Sequence, residues 1–383
     1  MTDPSLPLSG LTVFEFCEVA AGPFCGMLLA DMGAEVIKVE RPGQGDTLRH
    51  WPPITNGYSE NFASLNRNKK SIEVNVKDQP SRAALLSAIV EKADVIIENY
   101  RPGVMASNGL GYEAISALRP DLVYCSLSAF GQTGPRSRQG GFDVTIQAMS
   151  GIMSITGEPD GAPVKAGTPV SDFATGLYGA FSIVSSILRA RASGKGCHID
   201  ISMMGASLAI SALQTSEFFG TGRTPQKLGS AHPRNAPYRA FRASDDYFVV
   251  AAGNNKLWEG VCSVVGRMEL LEDPRFATTL LRAQNQEALK AILEEEFGKR
   301  SARSWLQAFE EVGVPCSPIN SIPEALADPQ IAHLGLVQPM HLPDGTETRT
   351  FVSPVRLSGK NLAIRLRPPR LGEHTEDVLP KTR

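Results

Sequence analysis

The sequence predicts an α/β protein with a parallel sheet covered by helices on both faces, followed by a smaller second α/β domain. Three observations carry this. Short, nearly continuous apolar runs alternate with amphipathic stretches through the first half of the chain, the pattern of strands buried between two layers of helix. The segments that follow the runs are rich in Gly, Pro, polar groups and charge, as connecting turns are. And 383 residues exceed what one core usually holds.

In chain order, Leu11–Phe16 reads as a strand. Gly22-Pro23 opens a helix, because proline fits a first helical turn. The periodicity of Phe24–Met32 stops at Gly33, and Glu35–Glu40 is a second strand. This βαβ unit favours parallel pairing. Ser71–Val76 is expected as strand, Ser81–Lys92 as helix, Asp94–Glu98 as strand, Tyr112–Leu118 as helix and Leu122–Leu127 as strand. After Gly141–Met153 come a helix from Asp172 to about Arg191, a strand at His198–Ser202 and a helix at Gly205–Phe219. The most apolar stretches, Leu177–Leu188 and Met203–Leu213, are short and interrupted by Ser. They read as buried helices rather than membrane spans. Gly220–Asn235 has no periodicity and reads as a linker. Beyond it, a strand at Tyr247–Ala252 precedes helices at Leu257–Val265, Arg282–Phe297 and Ala302–Val312. Pro315–Pro318 ends a short strand, Pro323–Ala327 starts another helix, and Thr348–Leu357 returns as an extended segment to the first domain. The expected division is 1–219, completed by 335–383, around a linker and small domain at 220–334.

Bulk properties exclude several classes. Lys and Arg number 38 against 40 Asp and Glu, with the signs interspersed; this argues against nucleic-acid and membrane-surface partners. Met1–Gly10 has neither the basic nor the apolar part of a signal peptide. The six cysteines are scattered without a Cys-x-x-Cys pair, which suits a reducing cytoplasm. Strand alternation places Cys197 on the face opposite His198 and Asp200, so no metal site is expected. Gly109-Leu110-Gly111 mimics a dinucleotide fingerprint but does not directly follow a strand. No Gly-x-Ser-x-Gly elbow is present.

The stretch Pro169–Ala180 joins an apolar approach, one carboxylate and the small residues Gly176, Gly179 and Ala180. Two readings of Asp172 stand side by side. It caps a helix, where Asp is among the best residues, or it is a nucleophile. Arg41, Arg49, Lys69, Lys70, Lys77 and Arg101 lie near strand ends and turns. They read either as phosphate partners or as solvated charge.

Leu28–Gly43, with Ala-Asp-Met-Gly-Ala-Glu-Val-Ile-Lys-Val-Glu-Arg-Pro-Gly at its centre, resembles the signature of the class III coenzyme A transferases, the formyl-CoA and carnitine-CoA transferase family. So do Asn66–Ile72, Glu98–Gly103, Gly131–Pro135 and Leu371–His374, in fixed order from about Leu8 onward. The resemblance implies a Rossmann-like large domain plus a small domain, two chains interlocked as a homodimer, and acyl-CoA and small carboxylates as partners. It places the catalytic aspartate on Asp172 and the positions that hold CoA on Arg41, Val74, Lys77, Asn99 and Tyr100. It implies no permanently bound cofactor, CoA itself being substrate. The chain departs from the family at Ala20, where Gln is frequent, at Ser107, where some members have Arg, and at Gly140, basic in formyl-CoA transferases; Arg136 or Arg138 are candidates to compensate. Racemases of this fold carry Gly-His-Asp where this chain has Gly141-Phe142-Asp143, and Phe cannot carry a proton. Transfer is therefore expected over α-methylacyl-CoA racemisation or CoA binding without turnover. The pattern is nearest the members that act between succinyl-CoA and a second small dicarboxylate. Backbone donors near Gly22 and Gly253 are candidates for oxyanion support, with ordinary turns as the alternative. His232 and Arg234, in the irregular linker, are candidates for the second carboxylate of the acid.

Overall fold

The structure, a computed structural model, describes residues 3–379. They form two compact units. The first takes the chain to Ile152, then Lys165–Arg223 and the residues from Pro329 onward. The second takes Met153–Val164 and Thr224–Asp328, so it includes a short segment from before the Asp172 helix as well as most of the stretch after 220.

In the first unit, β1 (Thr12–Phe16), α1 (Ala21–Asp31) and β2 (Glu35–Glu40) form the expected βαβ unit. β3 (Lys69–Glu73), α2 (Gln79–Lys92), β4 (Val95–Glu98), α3 (Tyr112–Leu118) and β5 (Val123–Ser128) follow. Next come α4 (Asp143–Met149), α5 (Val170–Ser193), β6 (Cys197–Ser202), α6 (Met203–Ile210) and α7 (Ala212–Thr221). The six strands pair in the order β3-β2-β1-β4-β5-β6, and every pairing is parallel. The order reverses between β1 and β4. In such a sheet a crevice opens there beyond the carboxyl ends of the strands. The turns at that point are Cys17–Ala20 after β1 and Asn99–Arg101 after β4.

Helices seal both faces. One apolar cluster joins Phe14, Ile72, Leu85, Ile89 and Tyr124; the other joins Val13, Cys25, Leu29, Ile97, Cys125 and Ile183. Helices α1 and α5 pack closely because Gly176 and Gly179 face α1: a Cβ at Gly176 would sit 2.7 Å from the Ala21 carbonyl oxygen. The expectation that the two apolar stretches are buried helices is corrected. The inner face of α5 is buried through Ala174, Gly179, Ile183 and Ile187, but Phe181 is 72% and Leu188 67% exposed. The second stretch breaks at Ser211 into α6 and α7, and α7 buries no residue. By length and composition α5 would also suffice for a membrane span.

The second unit is built on a three-stranded antiparallel sheet. β7 (Tyr238–Arg242) pairs with β8 (Tyr247–Ala251), which pairs with β9 (Cys316–Pro318). Helices α8 (Asn255–Val265), α9 (Gln286–Phe297) and α10 (Ala302–Glu311) cover it around Phe248, Phe297 and Phe309. The strand β7 was missed in the sequence because its two arginines interrupt the apolar pattern. Arg239 is nonetheless buried, with Glu287 2.6 Å away.

The basic cluster of the first hundred residues also needs correcting. Lys69 is buried against Glu15 at 2.8 Å, Arg49 pairs with Glu40 at 2.7 Å, and Lys70 pairs with Glu35. These are internal ion pairs of the fold. Arg41 and Lys77 remain on a cavity wall.

Candidate active site

Asp172 is the third residue of α5, and the residue at the cap position is Pro169. Capping is done from another helix. Asp143, the first residue of α4, accepts the Ser171 amide at 2.9 Å and the Asp172 amide at 3.4 Å on one carboxylate oxygen. Its other oxygen accepts from the buried Gln147 side chain at 2.6 Å. Satisfying the free amides of a helix start normally falls to a residue beside it in sequence. Here a residue 29 positions away does it, which leaves the Asp172 carboxylate unoccupied. Among the described residues no hydrogen bond or ion pair reaches its oxygens.

That carboxylate is partly buried, and its pKa is raised to about 7, first by burial and then by the negative charge of Asp143. Both causes disfavour the ionised form. Asp172 faces a cavity of about 610 Å³ whose wall includes Ala20, Arg41, Asn99, Tyr100 and Phe142. A second cavity of about 270 Å³ shares Glu18, Arg41 and Tyr100 with the first and extends to Val74 and Lys77. The structure thus brings Asp172, Ala20 and all five positions assigned to CoA by resemblance to the walls of two adjoining cavities. Arg41 pairs with Glu18 at 3.1 Å on a half-exposed edge. Val74 is 3% exposed and serves as an apolar wall.

The Asn99–Arg101 turn is held from inside. The Asn99 side chain accepts the Glu18 amide at 3.0 Å and donates to the Glu18 carbonyl at 2.8 Å. Glu98 accepts the Tyr100 amide at 2.9 Å. Burial drives the Glu98 carboxyl up to about 7 against the opposing bonds from Ser126 and Tyr100.

Position 140 acquires a cation by another route. The Arg101 guanidinium lies over Gly140, 3.0 Å from where a Cβ would stand. Arg136 instead bonds Gln139 at 3.1 Å. Arg101, for which glycine leaves room, joins Arg136 and Arg138 as a candidate cation for this position. Ser107 bonds the Val104 carbonyl at 2.8 Å. His232 and Arg234 lie in the second unit. The Nδ1 of His232 accepts the amides of Arg234 and Asn235, both at 3.1 Å, closing a turn and leaving Nε2 as its other polar atom. Burial and then Arg234 hold the His232 pKa below its usual value.

Asp143 is the functional residue that sequence reasoning passed over. It was visible in Gly141-Phe142-Asp143, which drew attention only to Phe142. Because Asp143 raises the Asp172 pKa, Asp143→Asn is expected to lower it. A reaction needing ionised Asp172 gains activity as pH rises through about 7, so the variant's kcat/KM profile should rise at lower pH than the wild type's. The shift should be partial, because burial, the larger cause, remains.

The Rossmann-type strand order, the crevice at its switch point and an unpartnered carboxylate beside cationic walls define an enzyme of acyl-coenzyme A chemistry once the family is added. The CoA-transferase family III model matches residues 8–375, and the chain belongs to that family. It is 40% identical over 378 residues to the succinyl-CoA:glutarate CoA-transferase of Mus musculus, covering 98% of this chain and 86% of that one. It is 42% identical over 330 residues to the acetyl-CoA:oxalate CoA-transferase of Acetobacter aceti, covering 86% of this chain and 85% of that one. The crystal structure of a CAIB/BAIF family protein from Brucella suis superposes with a TM-score of 0.86 at 38% identity, covering 97% of this chain and 98% of that one. The protein is an enzyme of the CoA-transferase class.

Proposed function

We propose that the enzyme moves CoA from succinyl-CoA, or a similar acyl-CoA, to a small dicarboxylic acid through an aspartyl-CoA thioester on Asp172. The observation that carries this is the unoccupied Asp172 carboxylate facing a cavity that shares Arg41 with the neighbouring one lined by Val74 and Lys77. The names of the mouse and Acetobacter relatives support the choice of acids.

In this scheme the Asp172 carboxylate attacks the thioester carbonyl, forming a mixed anhydride and expelling CoA thiolate. The thiolate attacks the aspartyl carbonyl, giving aspartyl-CoA and releasing the donor carboxylate. The acceptor carboxylate then attacks aspartyl-CoA, again expelling thiolate. The thiolate finally attacks the acceptor's acyl carbon, and Asp172 returns as carboxylate. A carboxylate is a weak nucleophile, so the gain lies in positioning and in dividing one exchange into four additions. Arg41, Val74, Lys77, Asn99 and Tyr100 hold CoA. His232, through Nε2, and Arg234 meet the second carboxylate of the acid. The chain acts as an interlocked homodimer, to which the exposed Phe181, Leu188, Leu213 and Phe219 belong; apolar exposure on this scale is typical of an association surface.

Racemisation, the alternative, draws on an Asp172 pKa of about 7, suited to proton transfer. The opposite position, however, is Phe142, 72% exposed and without a titratable group. The test is mass spectrometry after incubation with succinyl-CoA and hydroxylamine, beside a panel of acceptor acids. Label on Asp172 and transfer to dicarboxylates are expected. Deuterium wash-in at the α-carbon without transfer would replace this reading by racemisation. Unchanged acid preference in His232→Ala and Arg234→Ala would remove those two residues from the scheme.

A further inference from the structure

The turn that enters α1 carries a backbone outlier. Val19 has φ of +67°, the left-handed region that a β-branched side chain rarely enters. Such a conformation persists only where its surroundings over-determine it. Here they do so at three successive residues. Lys38 donates to the Cys17 carbonyl at 2.7 Å. Asn99 clasps both backbone polar groups of Glu18. Asp46 accepts the Val19 amide at 3.0 Å.

Asp46 is itself fixed. It is 1% exposed, and its second oxygen lies 2.9 Å from Lys38 Nζ. Its first oxygen also accepts the Leu48 amide at 2.9 Å, and its own amide donates to Glu40 at 2.9 Å. Burial opposes its charge, but Lys38 and the two amides outweigh burial and keep its carboxyl below the usual range. One buried ion pair therefore grips both Cys17 and Val19.

What this turn positions is part of the wall of the cavity that Asp172 faces. Glu18, Val19, Ala20 and Ala21 all line the Asp172 cavity. Ala21 and Gly22 open α1, and the first amides of a helix have no acceptor within it. In the reaction proposed above, an oxyanion forms at each addition, on the substrate carbonyl or on that of Asp172. Amides already fixed in place stabilise such an oxyanion without reorganising.

We infer that Asp46 is a positioning residue: paired with Lys38, it holds Val19 left-handed and so presents the first turn of α1 to the carbonyl that reacts at Asp172. The inference rests on the transfer reading. It requires that loosening the turn damage turnover more than CoA binding.

The experiment compares Asp46→Asn, Asp46→Ala, Val19→Gly and the Asp46→Ala/Val19→Gly double variant. Asp46→Asn keeps an oxygen for the Val19 amide but loses the charge opposite Lys38; its kcat is expected to fall about tenfold. Asp46→Ala loses both and should fall about a hundredfold, the scale of a lost oxyanion donor. The KM for succinyl-CoA should change less than about threefold in either. Glycine takes the left-handed conformation without a Cβ penalty, so the double variant should regain much of the kcat lost in Asp46→Ala. Hydrogen exchange of peptides covering residues 18–24 should quicken in Asp46→Ala and slow again in the double variant.

Wild-type kcat in a folded Asp46→Ala, absence of rescue by Val19→Gly, or unchanged exchange at residues 18–24 would each overturn the inference. If Asp46→Ala does not fold, Asp46→Asn with and without Val19→Gly makes the same comparison. If the wild-type chain transfers CoA to no acid, the transfer reading fails and the catalytic half of the inference with it. The exchange data then decide the structural half alone.

Discussion

Asp172→Ala is expected to abolish CoA transfer, lowering kcat by about 10⁴-fold or more, the scale seen when a covalent nucleophile is removed. Binding of free CoA, measured by calorimetry, should stay within about threefold of wild type, because the residues proposed to hold it lie in the neighbouring cavity around Val74 and Lys77. Retained transfer would end the aspartyl-CoA scheme. The same position makes a second, opposite demand on stability. The pKa of Asp172 is raised in the folded protein to about 7, well above the usual value of an aspartate carboxyl. Its favourable contribution is therefore complete only below the unfolded value and is lost as pH rises through about 7. Asp172→Asn removes that loss, so its Tm at pH 8 should equal or exceed that of the wild type. A group that costs stability where activity is needed is the usual mark of a site selected for reaction.

Glu15→Gln is expected to be the most destabilising of the substitutions considered. Glu15 stands between two lysines, with Lys38 Nζ at 3.0 Å and Lys69 Nζ at 2.8 Å, and all three side chains are fully buried. Lys38 retains Asp46 at 2.9 Å, but among the described residues Lys69 keeps only the Pro23 carbonyl and the Asn66 side chain. Breaking a buried charge network from one side costs about 3–5 kcal/mol, because the remaining charge cannot reach water. The denaturant midpoint of the first unit, followed by a probe within it, should fall accordingly. Replacing Glu15 and Lys69 together by apolar residues of similar volume, with Lys38 left to pair with Asp46, should recover part of the loss. The site also depends on Gly26, where a Cβ would lie 1.8 Å from a Glu15 carboxylate oxygen. A destabilisation well below this range would mean that water reaches the cluster.

The strands and helices of the first unit were legible because each is a local pattern. Glu35–Glu40 and Tyr112–Leu118 have the bounds that their apolar runs predict, β1 and β4 start one residue later than expected, and β5 is shifted by one residue. The parallel sheet followed from nearly continuous apolar strands alternating with amphipathic helices. Asp172 was legible as a residue of interest, through the small residues after it and the motifs around it. Its environment was not. Nothing local tells that Asp143 caps the helix that Asp172 would be expected to cap, or that Arg101 occupies the space above Gly140. The outward faces of α5 and α7 escaped for the same reason. Apolar composition says that a side chain prefers cover, not which surface supplies it.

The sequence by itself determined the alternation of strand and helix, the turn chemistry at the strand ends and the carboxylate at the start of a long helix, all properties of neighbours along the chain. Only the tertiary structure decided which charges are structural and which are available. Lys38, Lys69 and Arg49 were drawn inside, where each carboxylate partner offsets a desolvation that water would otherwise oppose. Arg41, Lys77 and Arg101 were left on cavity walls. Asp172 was left without a partner because Asp143 satisfies the amides around it. Charge pairing acts through space over a few ångströms, between residues whose separation in sequence carries no periodic signal.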